Sequence, residues 1–304
     1  MQRSDMDPFP DDGFLPLDLL VSHWRLDAHA LVESLRPSLG GTRVFYGGGL
    51  ADDLGRADGP VELVALAERA EEPAEPAIEP HGLIHPPVQL SVLVMPTRLL
   101  RAWEEPLRSL LTHPGGPLPP VSPEIAKGMH ALHGQRDLQP GSQLFAQEME
   151  EAHIELWPLF TAARAVQELG GANGRPAVRE RLSLLVRALL SAWDCCNPQP
   201  ELQAPLFERA AARRGISPGV RAAVRQALTG RSPDRDVRSA LRALEEIGAA
   251  DPVLGLTGYA RDEVSAAPQE TRAALSSVRP TSQQTAWHVP EESRSPIRGN
   301  VRES

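Results

Sequence analysis

Three consecutive glycines, Gly47-Gly48-Gly49, follow the short apolar run "RVFY" (43–46) and precede a second run, "PVELVAL" (60–66). A strand that ends in glycine and is followed by a short helix brings bare backbone N–H groups close to a phosphate. On the glycines alone, a plain connecting turn explains the pattern equally well. The acidic residues that such a loop usually serves are oddly placed here; the candidates are Glu62 and Asp58, with Arg56 as the cation beside them. Lys127 is the only lysine in the chain, so a phosphate clamp here would rely on arginine.

The other reactive side chains carry weaker patterns. His130 and His133, with Asp137 following, can be drawn as a metal cluster. Two helical histidines and one carboxylate are unspecific, and surface or capping roles are expected of them. His153 and Glu155 read as helix-surface charge, and His23 with Asp27 has the spacing for one local hydrogen bond. Ser91 and Ser142 belong to no nucleophile motif. Trp103, Trp157 and Trp193 fall in helical stripes and are expected in the core. The only cysteines, Cys195 and Cys196, are adjacent in an apolar helical run. Neighbours make neither a framework disulfide nor a four-ligand zinc site, so two partly buried thiols in a reducing cytosol are expected.

These residues need elements to hold them. Apolar spacing predicts a helix over 17–35, with Leu20, Trp24, Leu31 and Leu35 on one stripe. Strands are predicted at 43–46, 60–66 and 88–95. On the third, Gln89 and Ser91 share one face, and Val88, Leu90 and Val92 take the other. Between the last two strands an acidic, proline-punctuated segment reads as an exposed excursion. Helices are then predicted over 97–111, 123–133, 143–169, 177–194, 201–213, 218–229 and 235–247. The Pro-rich "THPGGPLPPVSP" (112–123) is the clearest internal break. The expected organisation is α+β: a flexible lead-in (1–14), a small mixed sheet domain (15–118), a larger helical domain (119–265) and a disordered tail (266–304).

The succession of helix, strand, glycine loop, short helix, strand, excursion, strand and helical domain resembles the nucleotidyltransferase superfamily, which includes DNA polymerase β and the aminoglycoside nucleotidyltransferases. The stretches "HALHGQRDLQPGSQLFAQEMEE" (130–151) and "LVRALLSAWDCCNPQPELQAPLFERA" (185–210) are similar to later segments of that family, and the resemblance covers roughly residues 20–215. It implies that Gly48 and Gly49 stand for the family's Gly-Ser loop and that Pro60 and Glu62 stand for its D-x-D pair. It also implies a third carboxylate on the next strand, where Gln89 and Ser91 are uncharged. Beyond the Asn197-Pro198 turn, Glu201 and Gln203 stand where a cation would be useful. In that family three carboxylates hold two divalent metals, which bind the triphosphate and activate an acceptor hydroxyl. Proline offers a metal nothing, and Mg²⁺ prefers anionic oxygen. The implied function is a degenerate member, a pseudoenzyme that binds a small molecule, a nucleotide or a partner protein without turnover. The alternative is an active enzyme using the same cleft, with Asp58 and Glu62 holding one metal, to transfer a nucleotidyl group to a small hydroxyl or amino substrate. That cleft could also have been recruited to different chemistry. No cofactor is expected under the first reading, and Mg²⁺ with ATP under the second.

Composition narrows the setting. A net charge of −9 argues against a duplex nucleic-acid partner. No run of 18 apolar residues occurs, so a membrane span is not expected, and the acidic, Pro-rich start does not read as a signal peptide. A cytoplasmic location follows as an expectation. Arginine in place of lysine, with abundant Ala, Pro and Gly, fits a GC-rich bacterial genome, where specialised-metabolite or resistance pathways are natural settings for an accessory protein.

Overall fold

The computed structural model describes residues 13–39, 42–75, 84, 88–113, 116–138, 147–170, 177–230 and 232–257. The first 12 residues, Ser142, most of the acidic excursion and the tail from 266 lie outside the described residues.

The chain begins with α1 (Leu17–Trp24) and α2 (Ala28–Leu39), followed by β1 (Thr42–Tyr46), α3 (Gly48–Ala51), β2 (Val61–Ala67) and β3 (Leu90–Pro96). Where one helix is predicted over 17–35, the structure has two. Arg25 turns left-handed at φ 46°, and Asp27 Oδ1 accepts the Ala30 N–H at 2.9 Å to start α2. Asp27 therefore caps its own helix and makes no bond to His23. The sheet order is β1-β2-β3, antiparallel between the first pair and parallel between the second, so the fold is a mixed α+β one. Neither outer edge is bare. Residues 136–138 bond along β1, with Tyr46 N–H to Arg136 O at 2.9 Å and Leu138 N–H to Val44 O at 2.8 Å. Ala74 pairs with Val94 on the far side of β3. Edges covered in this way offer no template to another chain.

Alternation along the strands divides the sheet's two faces. Val61, Leu63, Ala65, Val92 and Val94 pack with Leu20, Trp24 and Leu31 from α1 and α2. Val64, Leu66, Leu93 and Met95 point the other way, into a second core. That second core is built by α4 (Thr97–Ala102), α5 (Glu104–Thr112), α6 (Pro123–Gly134) and α7 (Gln147–Gly170). The single helix predicted over 97–111 is interrupted at Trp103.

A third core surrounds α8 (Val178–Ala192). It is completed by α9 (Gln203–Arg213), α10 (Pro218–Leu228), α11 (Asp234–Ala250) and the short α12 (Pro252–Leu256). The apolar circumference of α8 explains its central position: Leu182, Leu185, Val186 and Leu189 are all at most 1 % exposed. Trp157 and Trp193 are buried, as their stripes predict. Among the described residues no helix is long and apolar enough to cross a membrane.

Candidate functional site

A small cleft opens between β2, β3 and α6. Gly47-Gly48, Glu62 and Ser91 line its sheet wall, and Lys127 and His130 line its helix wall. Glu75, Pro198 and Gln199 complete the lining. Its enclosed part measures about 20 Å³, room for one water-sized group.

Register assembles the sheet wall. Glu62 and Ser91 are direct partners across the parallel β2–β3 pair, so both side chains leave the sheet on the same face. The glycines are shaped around Glu62. Gly48 has φ +52°, and a Cβ there would lie 1.7 Å from Glu62 Oε2. Gly48 is therefore required twice over, for its backbone conformation and to make room for the carboxylate. Gly49 sits one step behind, where a Cβ would meet Leu54 O at 2.6 Å. Gly47 N–H bonds Glu62 O at 2.9 Å, which fastens the turn to β2.

Of the residues singled out from the sequence, Gly48, Glu62 and Ser91 meet at this cleft, with Gly49 packed behind it. Asp58 and Arg56 do not reach it. They pair with each other at 3.5 Å on an exposed turn, which Trp24 pins to the α1 side by donating its indole N–H to Ala57 O at 3.1 Å. Gln89 is exposed just before β3; its carbonyl accepts from Val61 N–H at 2.8 Å, and its side chain does not line the cleft. Pro60 is exposed just before β2.

Sequence reasoning missed the groups that contact Glu62. Asp194 adopts a left-handed conformation (φ 67°) that ends α8 and swings Cys195–Gln199 toward the glycine turn. Asn197 Nδ2 then donates to Gly48 O at 3.0 Å and to Asp52 Oδ2 at 2.6 Å. Gln199 Nε2 donates to both Glu62 oxygens, at 3.0 and 3.2 Å. The Asn197-Pro198 turn was the available signal, but the residue that reaches the carboxylate lies immediately after Pro198. Of the two expected farther on, Gln203 is buried and accepts from Ser183 Oγ at 2.9 Å, and Glu201 is exposed.

The histidines correct the surface reading. His130 and His153 are each 1 % exposed. His153 Nε2 donates to Leu100 O at 2.7 Å, closing the end of α4. Asp137, the third member of the drawn cluster, pairs with Arg43 at 3.1 Å instead. His133 is positioned by a proline. Pro158, inside α7, has no N–H, so the Ile154 carbonyl loses its helical donor. His133 Nδ1 donates to it at 2.9 Å, which turns Nε2 toward Asp194 Oδ1 at 3.3 Å, so both ring nitrogens face an acceptor.

Behind the cleft these groups form a buried ionisable knot. His130 Nε2 lies 3.1 Å from Asp52 Oδ2, within ion-pair range, yet neither ring nitrogen has a well-aligned hydrogen bond. Burial alone would lower the His130 pKa, but the Asp52 carboxylate and the Cys196 thiol outweigh it and raise it to about 10. The same balance, with Cys196 and Asp194 as the opposing groups, holds His133 well above its ordinary value. Burial would raise the Cys196 thiol, yet His133 and His130 hold it below its usual value. Asp52 is likewise drawn below the usual carboxylate range, against the effect of burial, by His130 and Asn197. Cys195 diverges from its neighbour: burial and the Asp52 charge push it up to about 12. Both cysteines are free, and they lie past the end of α8 rather than within it. Among the described residues no three His, Cys, Asp or Glu side chains converge as metal ligands.

The residues at the cleft do not fit a two-metal centre. Glu62 is the one carboxylate on its sheet wall, Ser91 opposite it is neutral, and an amide occupies both Glu62 oxygens. No protein-family model matches the chain, and neither does any curated protein or solved structure.

Proposed function

We propose that this protein is a non-catalytic small-molecule-binding protein, a nucleotidyltransferase-like sheet domain joined to a helical domain, whose cleft has lost the carboxylates of a two-metal site. The observation that carries the reading is the environment of Glu62. It faces Ser91 across the strands, lies against Gly48 and takes both its hydrogen bonds from Gln199. A carboxylate engaged in this way is arranged for recognition, since a Mg²⁺ ion would have to displace the amide and would find no second anionic ligand beside it on the sheet. The small enclosed volume favours one polar head group over a triphosphate with its metals.

Calorimetric titration of ATP and GTP, with and without Mg²⁺ or Mn²⁺, tests this reading. No metal-dependent binding is expected. Tight metal-dependent binding that disappears in Glu62→Ala would sink it in favour of a nucleotidyl-transfer enzyme.

A further inference from the structure

The chemical class of the ligand follows from which charge at the cleft is left unmatched, and it rests on the reading of that cleft as a small-molecule site. Both imidazoles behind the cleft already face a carboxylate: His130 Nε2 lies 3.1 Å from Asp52 Oδ2, and His133 Nε2 lies 3.3 Å from Asp194 Oδ1. At the mouth Lys127 and Glu75 are both exposed and carry opposite signs, so their fields largely cancel. Glu62 is the exception. It is half-buried, and among the described residues its side chain takes hydrogen bonds only from the neutral Gln199 amide. A carboxylate offers about four acceptor sites, and one amide nitrogen leaves others open. Two neighbouring acceptors are open as well: among the described residues neither the Ser91 hydroxyl nor Gln199 Oε1 forms a hydrogen bond. Val64 and Leu93, two residues along from Glu62 and Ser91 on the same face, give the cleft an apolar floor that supplies no donor.

What this set lacks is one compact cation with several N–H donors. We propose that the cleft binds the primary ammonium head group of a small amine. An ammonium nitrogen is about the size of a water molecule, so it suits the enclosed volume of about 20 Å³, and the carbon that carries it leaves through the mouth. Its three donors go to Glu62, Ser91 Oγ and Gln199 Oε1, all of which line the cleft. A planar guanidinium is too broad for that space, and a carboxylate would meet Glu62 at like charge. The ammonium supplies the counter-charge that the Gln199 amide cannot.

NMR titration of the full chain with methylammonium, tetramethylammonium and acetate as separate probes tests the assignment. Methylammonium is expected to saturate with a Kd of about 10 mM, near the limit for so small a ligand. It should bind at least about tenfold more tightly than tetramethylammonium, which has the same charge and no N–H. Glu62→Gln keeps the shape of the side chain and should weaken methylammonium at least about tenfold. Lys127→Met, at an exposed position, removes a like charge from the mouth; it should tighten methylammonium about twofold and leave thermal unfolding unchanged. Tetramethylammonium or acetate binding as tightly as methylammonium overturns the proposal. So does a weaker methylammonium complex in Lys127→Met, an unchanged one in folded Glu62→Gln, or no saturation by methylammonium up to about 100 mM. A metal-dependent nucleotide complex abolished by Glu62→Ala would overturn the underlying reading of the cleft instead.

Discussion

The body of α8 and the turn that follows it are both buried, but in opposite chemical environments. Along the helix, Leu185, Val186 and Leu189 meet Phe207, Val224 and Leu244, all at most 1 % exposed and all apolar. A few residues on, Cys196 is buried with His130 and close to His133 and Asp52. The first region stabilises the fold by removing hydrocarbon from water, at roughly 25 cal/mol per Å². In the second, attraction between the charges is largely offset by the cost of desolvating them. The helix core therefore contributes stability that does not vary with pH. The knot contributes little net stability, but it fixes a charge state at the cleft and makes the protein respond to pH.

The largest effect that would test this contrast is in the apolar region. Phe207→Ala should cost about 3–5 kcal/mol in urea unfolding, by the same amount at neutral and alkaline pH. Next, Asp52→Ala should cost about 3 kcal/mol, because it strands a buried imidazolium and the Asn197 amide. It should also lower the His130 pKa, as followed by imidazole NMR. A loss below about 1 kcal/mol would mean that the knot holds no buried charge.

The pH profile gives a smaller, graded effect, and its sign follows from proton counting. His130 and His133 are raised above 6.5 in the folded state, so their stabilisation is complete below 6.5 and is lost as pH rises toward the folded values, about 10 for His130. Cys196 is depressed from 9.0, so its contribution is complete above 9.0 and is lost as pH falls toward its folded value. As pH rises from 6.5 the two histidines withdraw stability while Cys196, below 9.0, adds it. Above 9.0 the Cys196 gain is complete, so stability should fall from there toward the His130 value of about 10, with about 1.4 kcal/mol per pH unit from His130 alone. Loss of Asp52 pairing follows only as pH drops below 3.8. A profile flat between 9 and 10 would mean that His130 carries no charge in the fold. Smallest of all, Pro158→Ala should change stability by under about 1 kcal/mol, because the new N–H replaces one hydrogen bond to Ile154 with another.

Periodicity made the sheet legible. The strand bounds fall within two residues of prediction, and the two-residue repeat correctly placed Ser91 opposite the Val92 face. That Glu62 shares the Ser91 side came only with the parallel register of β2 and β3. The helix breaks at Arg25 and Trp103 fall on residues that are neither glycine nor proline; their signs stand beside them, in the Asp27 cap of α2 and in Pro106 within the first turn of α5. The burial of His130 was hidden. Helix α6 is covered by the sheet and α7, so Met129, His130, Ala131 and Leu132 are buried in succession and no stripe separates them. Gln199 escaped notice because its role depends on the left-handed turn at Asp194, a backbone choice that the sequence does not announce.

Pro158 has a reach that its own helix does not reveal. An α-helix ordinarily consumes its interior carbonyls; α7 exports one, at Ile154, to a side chain on another helix. The five-membered ring of one residue thus orients His133, on the preceding helix and 25 positions earlier in the chain. With alanine at 158 the helix would reclaim its carbonyl and the His133 imidazole would be free to flip. The hydrogen bonding at Nδ1 would change, which imidazole ¹⁵N shifts would register even where stability is unchanged.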